Sequence, residues 1–303
     1  MSNFLPADVP GEKEDEFQRN FDKATGNSGR LMLFAGDQKV EHLNNDFYGT
    51  DIPASDNDPE HLFKIASAAN IGVLATQFGL ISRYARQYPG IPYLVKLNAK
   101  TNLIPYSEKD PLSQQWLDVD DVIRFKQSSG LDILGVGYTL YLGSEHEHIM
   151  LREAARMVHA AHQNGLIAVL WIYPKGKYVK DEHDGHLIAG AAGVGACIGA
   201  DFVKLKVPHR NGRFDPELLA EVTQAAGNTG ILCEGGDKTS EEAFLAELHS
   251  QIHIGKSRGN GTGRNIHQRP LQEAVKMADA IYAVTVKNAS VADAVEILRK
   301  GKR

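Results

Sequence analysis

Short runs of β-branched and aromatic residues alternate with helical segments along most of the chain, and no other pattern in it is as strong. Seven runs read as strands: residues 31–36, 71–77, 93–97, 133–139, 167–173, 202–207 and 231–234. Between them the apolar spacing lengthens to three or four. Residues 152–164 place Ala155, Val158 and Ala161 on one helical face and stop at Gly165, which suits the left-handed turn after a helix. Asp215-Pro216-Glu217 reads as an N-cap, a proline at the first helical position and an acid in the first turn. Thr239-Ser240-Glu241-Glu242 repeats the cap followed by acids, and further helices are expected over 270–282 and 291–300.

This alternation predicts parallel strands joined by helices. A doubly wound open sheet would carry a glycine-rich turn directly after its first strand. Here that position holds Asp37-Gln38-Lys39-Val40-Glu41-His42, and Gly193-Val194-Gly195 falls in a helical stretch before a strand, the wrong order. The expected fold is an α/β architecture of the (β/α)8 TIM barrel type, a single domain over residues 30–303 with an N-terminal extension, residues 1–29, outside it. The eighth strand is expected near 258–264 because closure needs one there, although Gly-Asn-Gly-Thr-Gly is a poor strand by propensity.

Composition narrows the function without changing the fold. The 303 residues suit one barrel, and 42% apolar with 23% charged residues suits a large buried core. Acids outnumber bases, 38 to 33, for a net charge of −5, which argues against nucleic acid as a partner yet leaves room for a local basic pocket. Only Cys197 and Cys233 are present, too few for a disulfide framework or a thiolate zinc site, so a cytoplasmic location fits. Acids stand where a secretory signal would have its apolar core. The most apolar stretch, 187–200, is shorter than the roughly 20 residues of a bilayer span, so no membrane partner is expected.

In a βα barrel, chemistry sits at the C-terminal ends of the strands. Alternation on the sixth strand puts Phe202, Lys204 and Lys206 on one face and Val203, Leu205 and Val207 on the other. The apolar set belongs against the helices, so both lysines are expected to point inward. A poorly solvated lysine with a second ammonium two residues away is harder to protonate, and a free amine attacks carbonyls; a lysine merely paired with a buried acid is the alternative. On the fifth strand, Trp171, Tyr173 and Lys175 share a face at the strand end. A phenol there is a plausible proton donor and acceptor, with neighbouring cations expected to lower its pKa from about 10, while Trp171 excludes water. Simple core packing is the alternative for both rings. Asp37 ends the first strand, and Lys96 is an inward cation on the third; each could equally be structural. Two glycine-rich turns remain, Gly235-Gly236 after the seventh strand and Gly263-Arg264 at the eighth, where barrels frequently bind phosphate through backbone N–H groups and a helix N-terminus.

With these residues in place the chain resembles the archaeal-type class I fructose-1,6-bisphosphate aldolases, Schiff-base enzymes with a (β/α)8 barrel. The similar pieces run in order over about residues 30–290: Asp37 with Glu41-His42, Val95-Lys96-Leu97-Asn98 with Lys100-Thr101, and Gly137-Tyr138-Thr139 with Gly143-Ser144-Glu145. Trp171, Tyr173-Pro174, Val203-Lys204-Leu205-Lys206, Gly235-Gly236 and Gly263-Arg264-Asn265 follow. The resemblance implies that Lys204 rather than Lys206 forms the Schiff base, that Tyr173 transfers the proton, and that Asp37 orients substrate hydroxyls or assists the carbinolamine. It implies a phosphate site at Gly235, Gly236, Gly263 and Arg264, and substrate contacts from Trp171, Lys175, Lys96 and Lys206. Sugar phosphates are the implied ligands, with a place in glycolysis and gluconeogenesis, no cofactor, no metal and assembly into a homo-oligomer. Three positions depart from the family pattern: Lys175 stands where Arg is usual, Gln38-Lys39 follows Asp37 where His-Gly is common, and Glu234 replaces a Ser.

Three rival readings keep the barrel. A zinc aldolase would need His and acidic ligands converging on one point, but Glu145-His146-Glu147-His148 and His183-Asp184-Gly185-His186 both fall away from strand ends. A transaldolase making 6-deoxy-5-ketofructose phosphate or an aromatic-precursor sugar would use the same Lys204 and Tyr173 with another aldehyde. A non-catalytic sugar-phosphate binder would need none of the three reactive groups.

Overall fold

The computed structural model describes residues 5–300; residues 1–4 of the expected extension and 301–303 of the expected barrel lie outside the described residues. Eight parallel strands close into a barrel: β1 (Leu31–Ala35), β2 (Val73–Gln77), β3 (Tyr93–Lys96), β4 (Ile133–Leu142), β5 (Ile167–Pro174), β6 (Phe202–Leu205), β7 (Gly230–Glu234) and β8 (Gly259–Thr262). Each pairs with its neighbours in sequence order, and β8 pairs with β1 from Leu31↔Gly259 to Phe34↔Thr262. A two-stranded antiparallel hairpin, His209–Arg210 with Arg213–Phe214, stands outside the ring.

The strands are buried on both faces, and their side chains divide by alternation. Leu31, Leu33, Ala35, Val73, Leu94, Ile167, Val169, Trp171, Phe202 and Leu232 form an inner core. Met32, Phe34, Leu74, Val95, Leu170, Ile172, Val203, Leu205 and Ile231 face outward into the layer covered by the helices. The helices are α1 (Glu14–Thr25), α2 (Gln38–Glu41), α3 (Glu60–Ala68), α4 (Phe78–Tyr84), α5 (Val119–Ser129), α6 (Glu147–Gln163), α7 (Gly185–Ile198), α8 (Pro216–Ala226), α9 (Glu241–His253), α10 (Arg264–His267), α11 (Leu271–Thr285) and α12 (Val291–Lys300), of which α1 lies at one end of the barrel and the short α2 and α10 at the other. Helix α7 carries the apolar stretch noted in the sequence, and no helix among the described residues is long and apolar enough to cross a membrane.

Strand β8 forms where propensity argues against it, and the packing gives the reason. A Cβ on Gly259 would stand 1.9 Å from the Leu31 carbonyl oxygen, so the approach of β1 admits only glycine there. The outward Asn260 donates from Nδ2 to Thr285 Oγ1 on α11 at 2.7 Å and accepts from Thr262 Oγ1 at 2.8 Å, which satisfies its polar groups inside the helix layer. Helix ends follow the chain closely. Asp215 accepts the N–H groups of Glu217 and Leu218, and Gly165 takes φ +67° beyond α6. Helix α6 begins five residues earlier than its apolar spacing predicts, at Glu147, whose carboxylate accepts the Gly143 N–H at 2.8 Å. Ser240 holds the N-cap position of α9 but its hydroxyl makes no cap bond, a departure from the cap expected there.

Helix α1 lies across the N-terminal end of the ring. Phe17 is fully buried in the inner core, Phe21 stacks on Phe202 with centroids 5.6 Å apart, and Asn20 donates to the Gly165 carbonyl at 2.7 Å. His162 sits beneath with Nδ1 at 2.8 Å from Asp8 and Nε2 at 3.3 Å from Asp201. One end of the barrel is thereby filled, and access to the interior falls to the other, where the strands' C-termini gather.

Candidate active site

At that mouth a cavity is lined by Asp37, Gln38, Glu41, His42, Trp171, Tyr173, Lys204, Glu234, Gly235, Gly236, Gly261, Gly263 and Arg264. Eight of the residues expected from the sequence thus share one cavity: Asp37, Trp171, Tyr173, Lys204, Gly235, Gly236, Gly263 and Arg264. Lys204 points inward as the alternation requires and is buried. Register places it beside Trp171 on β5 and Leu232 on β7. Its side chain crosses the face of β8 at Gly261, where a Cβ would come within 2.7 Å of both Cδ and Cε. Glycine at this strand position leaves the channel through which the amine reaches the cavity.

Lys96 lies below the cavity. Its ammonium donates to Thr139 Oγ1 at 2.5 Å, pairs with Asp37 at 3.3 Å and stands 3.8 Å from the centroid of Trp171. Complete burial pulls its pKa down to about 8, with Asp37 opposing the shift and the Lys204 charge adding to it. The second ammonium expected near Lys204 is therefore supplied by Lys96. Lys206, the expected source, leaves the barrel with the end of β6 at Leu205, and its ammonium pairs with Glu182 at 2.9 Å. Lys175 is likewise outside the cavity lining: its ammonium lies 4.0 Å over the Tyr106 ring and 3.7 Å from Glu182.

Tyr173 corrects a second expectation. Its phenol is pushed well above its ordinary pKa, first by burial and then by the negative charges of Glu234, Glu41 and Asp37, which outweigh the single cation Arg264. Cations were expected to dominate because the sequence displays the lysines of strands β5 and β6, whereas the acids come from elsewhere in the chain, Asp37 and Glu41 after β1 and Glu234 at the end of β7. The resting phenol is a proton donor.

The glycine-rich turns meet as expected, with Gly235 N–H bonded to the Gly261 carbonyl at 3.2 Å and Asn265 Nδ2 tying the Gly235 and Asp237 carbonyls. The element after β8 is a single turn, α10, so positive charge at this side rests on Arg264 rather than on a long helix. Arg264 is held by Asp237 at 2.5 Å and lies 3.8 Å from Asp46.

Tyr141, Tyr106, Lys100 and Glu182 at the mouth escaped the sequence reading as site groups. Tyr141 donates to Glu41 at 2.9 Å and its ring lies 6.4 Å from that of Tyr173, while Tyr106 carries Lys100 at 4.5 Å and Lys175 at 4.0 Å over its ring. Tyr141 had a readable signal, since it continues the inward series Gly137, Thr139, Tyr141 on a strand three residues longer than expected. Glu182, Lys100 and Tyr106 sit in irregular loops, where no periodicity assigns direction. Both acid-histidine clusters have other partners: Glu147 accepts the Gly143 N–H, His183 stacks on His209 at 3.9 Å, and His186 pairs with Glu221 at 2.9 Å. Among the described residues no group of three His, Cys, Asp or Glu side chains is placed to hold a metal ion.

A closed (β/α)8 barrel with a buried lysine, a phenol and a carboxylate around one cavity at its C-terminal mouth defines an enzyme of the aldolase type. The chain belongs to the DeoC/LacD family of aldolases, whose sequence model matches residues 31–269. It is 52% identical over 293 residues to the fructose-bisphosphate aldolase/6-deoxy-5-ketofructose 1-phosphate synthase of Methanocaldococcus jannaschii, covering 97% of this chain and 93% of that protein. Its structure is similar to that of a fructose-bisphosphate aldolase from Slackia heliotrinireducens, with a TM-score of 0.96, 51% identity and coverage of 99% and 95% of the two chains. An archaeal fructose-1,6-bisphosphate aldolase with its catalytic Lys bound to the carbinolamine intermediate matches at a TM-score of 0.74, 29% identity, over 89% of this chain and 99% of that one.

Proposed function

We propose that this chain is a Schiff-base aldolase that reversibly cleaves fructose 1,6-bisphosphate to dihydroxyacetone phosphate and glyceraldehyde 3-phosphate, with Lys204 as the nucleophile. The observation that carries this reading is the passage of the Lys204 side chain over Gly261 into the cavity it shares with Tyr173 and Asp37. Lys204 attacks C2 of the ketose as the free amine.

The raised phenol of Tyr173 gives the proton order. After Lys204 adds to the ketone, the phenol protonates the departing carbinolamine hydroxyl, which leaves as water. The resulting phenolate faces the iminium cation. It then takes the C4 hydroxyl proton as the C3–C4 bond breaks and its electrons flow into the iminium, leaving an enamine and the aldehyde. Protonation of the enamine and hydrolysis release the ketone. Asp37, fixed by Lys96, accepts hydrogen bonds from substrate hydroxyls. Arg264 and the turns at Gly235, Gly236 and Gly263 receive the phosphate of the ketone half, and Lys175 and Lys206 face the aldehyde half.

A second reading, synthesis of 6-deoxy-5-ketofructose 1-phosphate, is favoured by the double name of the relative at 52% identity. Retro-aldol division of that product into the same enamine and an aldehyde leaves methylglyoxal as the acceptor, which lacks a phosphate. The two reactions therefore share Lys204 and Tyr173 and differ on the β5–β6 side of the mouth. Both readings place the enzyme in the reducing cytoplasm, in keeping with two free cysteines.

Borohydride reduction in the presence of dihydroxyacetone phosphate and EDTA, followed by peptide mass mapping, tests the nucleophile. A stable adduct on Lys204 is expected. An adduct on Lys206 would move the site, and loss of cleavage on EDTA treatment with no adduct would overturn the Schiff-base reading.

A further inference from the structure

The β5–β6 side of the mouth carries two lysines and one carboxylate that serves both. Glu182, in the loop after β5, lies 2.9 Å from the Lys206 ammonium and 3.7 Å from that of Lys175 through the same Oε2. Its side chain is 31% exposed and each lysine 20%, so the three charges are partly shielded from water without being sealed from substrate. Across the cavity, Arg264 and the glycine turns form a separate side of the lining. An acceptor aldehyde that approaches Lys204 from β5 and β6 thus meets cations already neutralised from within the chain.

We infer that Glu182 is a specificity-determining residue, an internal counter-ion that takes the place of the acceptor phosphate and so lets phosphorylated and unphosphorylated aldehydes compete at one site. The inference rests on the assignment of Lys204 as nucleophile. A dianionic phosphate must break two ion pairs before it reaches Lys175 and Lys206, whereas an uncharged aldehyde leaves them intact. Lysine as a point charge, unlike a bidentate arginine, releases one carboxylate and accepts another group without a fixed geometry. Removing the charge of Glu182 favours the phosphorylated partner alone.

The test compares cleavage of fructose 1,6-bisphosphate with that of fructose 1-phosphate, whose aldehyde half is uncharged, in the full-length protein and its Glu182→Gln and Glu182→Asp variants. For Glu182→Gln, the ratio of kcat/KM between bisphosphate and monophosphate is expected to rise about threefold to tenfold, through a lower KM for the bisphosphate, as fits the loss of two partly shielded ion pairs. Glu182→Asp, which keeps the charge, is expected to stay near the parent ratio. Inorganic phosphate followed by calorimetry gives a readout independent of catalysis: Glu182→Gln should bind it more tightly, and adding Lys175→Met should remove the gain. An unchanged ratio, or an equal shift with Gln and Asp, overturns the role of the charge. Absence of a borohydride adduct on Lys204 in the parent protein instead overturns the nucleophile, with phosphate affinity still deciding whether Glu182 guards the lysines.

Discussion

Gly261 and Lys204 are in contact across two strands: the lysine's Cδ and Cε occupy the space where a β-carbon on residue 261 would stand, 2.7 Å away. The atoms in conflict belong to a flexible side chain, so Gly261→Ala is expected to displace the amine while the barrel stays folded. A fall in kcat of about a hundredfold, with a change in melting temperature of only a few degrees, is the expected outcome. Parallel measurement of turnover and thermal unfolding separates the two effects.

Tyr173 is assigned both the delivery of a proton to the leaving hydroxyl and its recovery from the C4 hydroxyl. Tyr173→Phe therefore slows two steps and is expected to lower kcat by about a hundredfold to ten-thousandfold, the range of general acid–base catalysis. Dihydroxyacetone phosphate should still bind, with slower growth of the borohydride-reducible species. Single-turnover trapping at timed intervals measures that rate directly.

Lys96 and Asp37 form an ion pair that is 2% and 12% exposed. Lys96→Met strands the carboxylate and the Thr139 hydroxyl and is expected to destabilise the fold by about 3 kcal/mol, in line with breaking one side of a buried pair. Urea denaturation of the variant, at constant slope, gives the value. Activity should fall with it, because Asp37 loses the group that fixes its orientation.

The closed end of the barrel supplies a pH dependence. Burial alone would depress the pKa of His162, but hydrogen bonds and charge from Asp201 and Asp8 outweigh it and hold the imidazole above its ordinary 6.5. A raised histidine binds its proton more tightly in the folded state, so its stabilisation is complete below the unfolded value of 6.5 and is lost as pH rises through the folded value. The stability of the parent relative to His162→Gln should therefore decline as pH increases from 6.5, as followed by denaturant midpoints across the range. A gap that widened with pH would contradict the assignment.

We propose that the described part of the extension, residues 5–29, acts as the closure of the barrel floor, with α1 as its working part. Phe17→Ala empties a fully buried site between α1 and the strands and is expected to lower stability by about 3 kcal/mol. Thermal unfolding tests it, with Schiff-base trapping on Lys204 expected to persist at low temperature because the mouth lies at the opposite end.

The sequence by itself determined the barrel and the direction of the reactive groups that lie within its strands, though not that of Lys206, which falls beyond the end of β6. Strict alternation on a parallel strand leaves Val203 and Leu205 no place but the helix layer, which turns Lys204 inward, and the same rule aims Lys96 and Trp171 inward as well. It reached β8 only through closure, since the glycines there are chosen for what passes over them and not for strand propensity. Tertiary structure alone decided which charges act on which groups. Glu41 from α2, Glu182 from the loop after β5 and Glu234 from the end of β7 converge at the mouth: Glu41 and Glu234 raise the Tyr173 phenol, Glu182 occupies Lys175 and Lys206, and Lys96 is left as the companion of Lys204. Periodicity fixes which face a side chain takes, because neighbouring residues share one backbone; electrostatics depends on distances through space, which exist only once the loops have folded over the mouth.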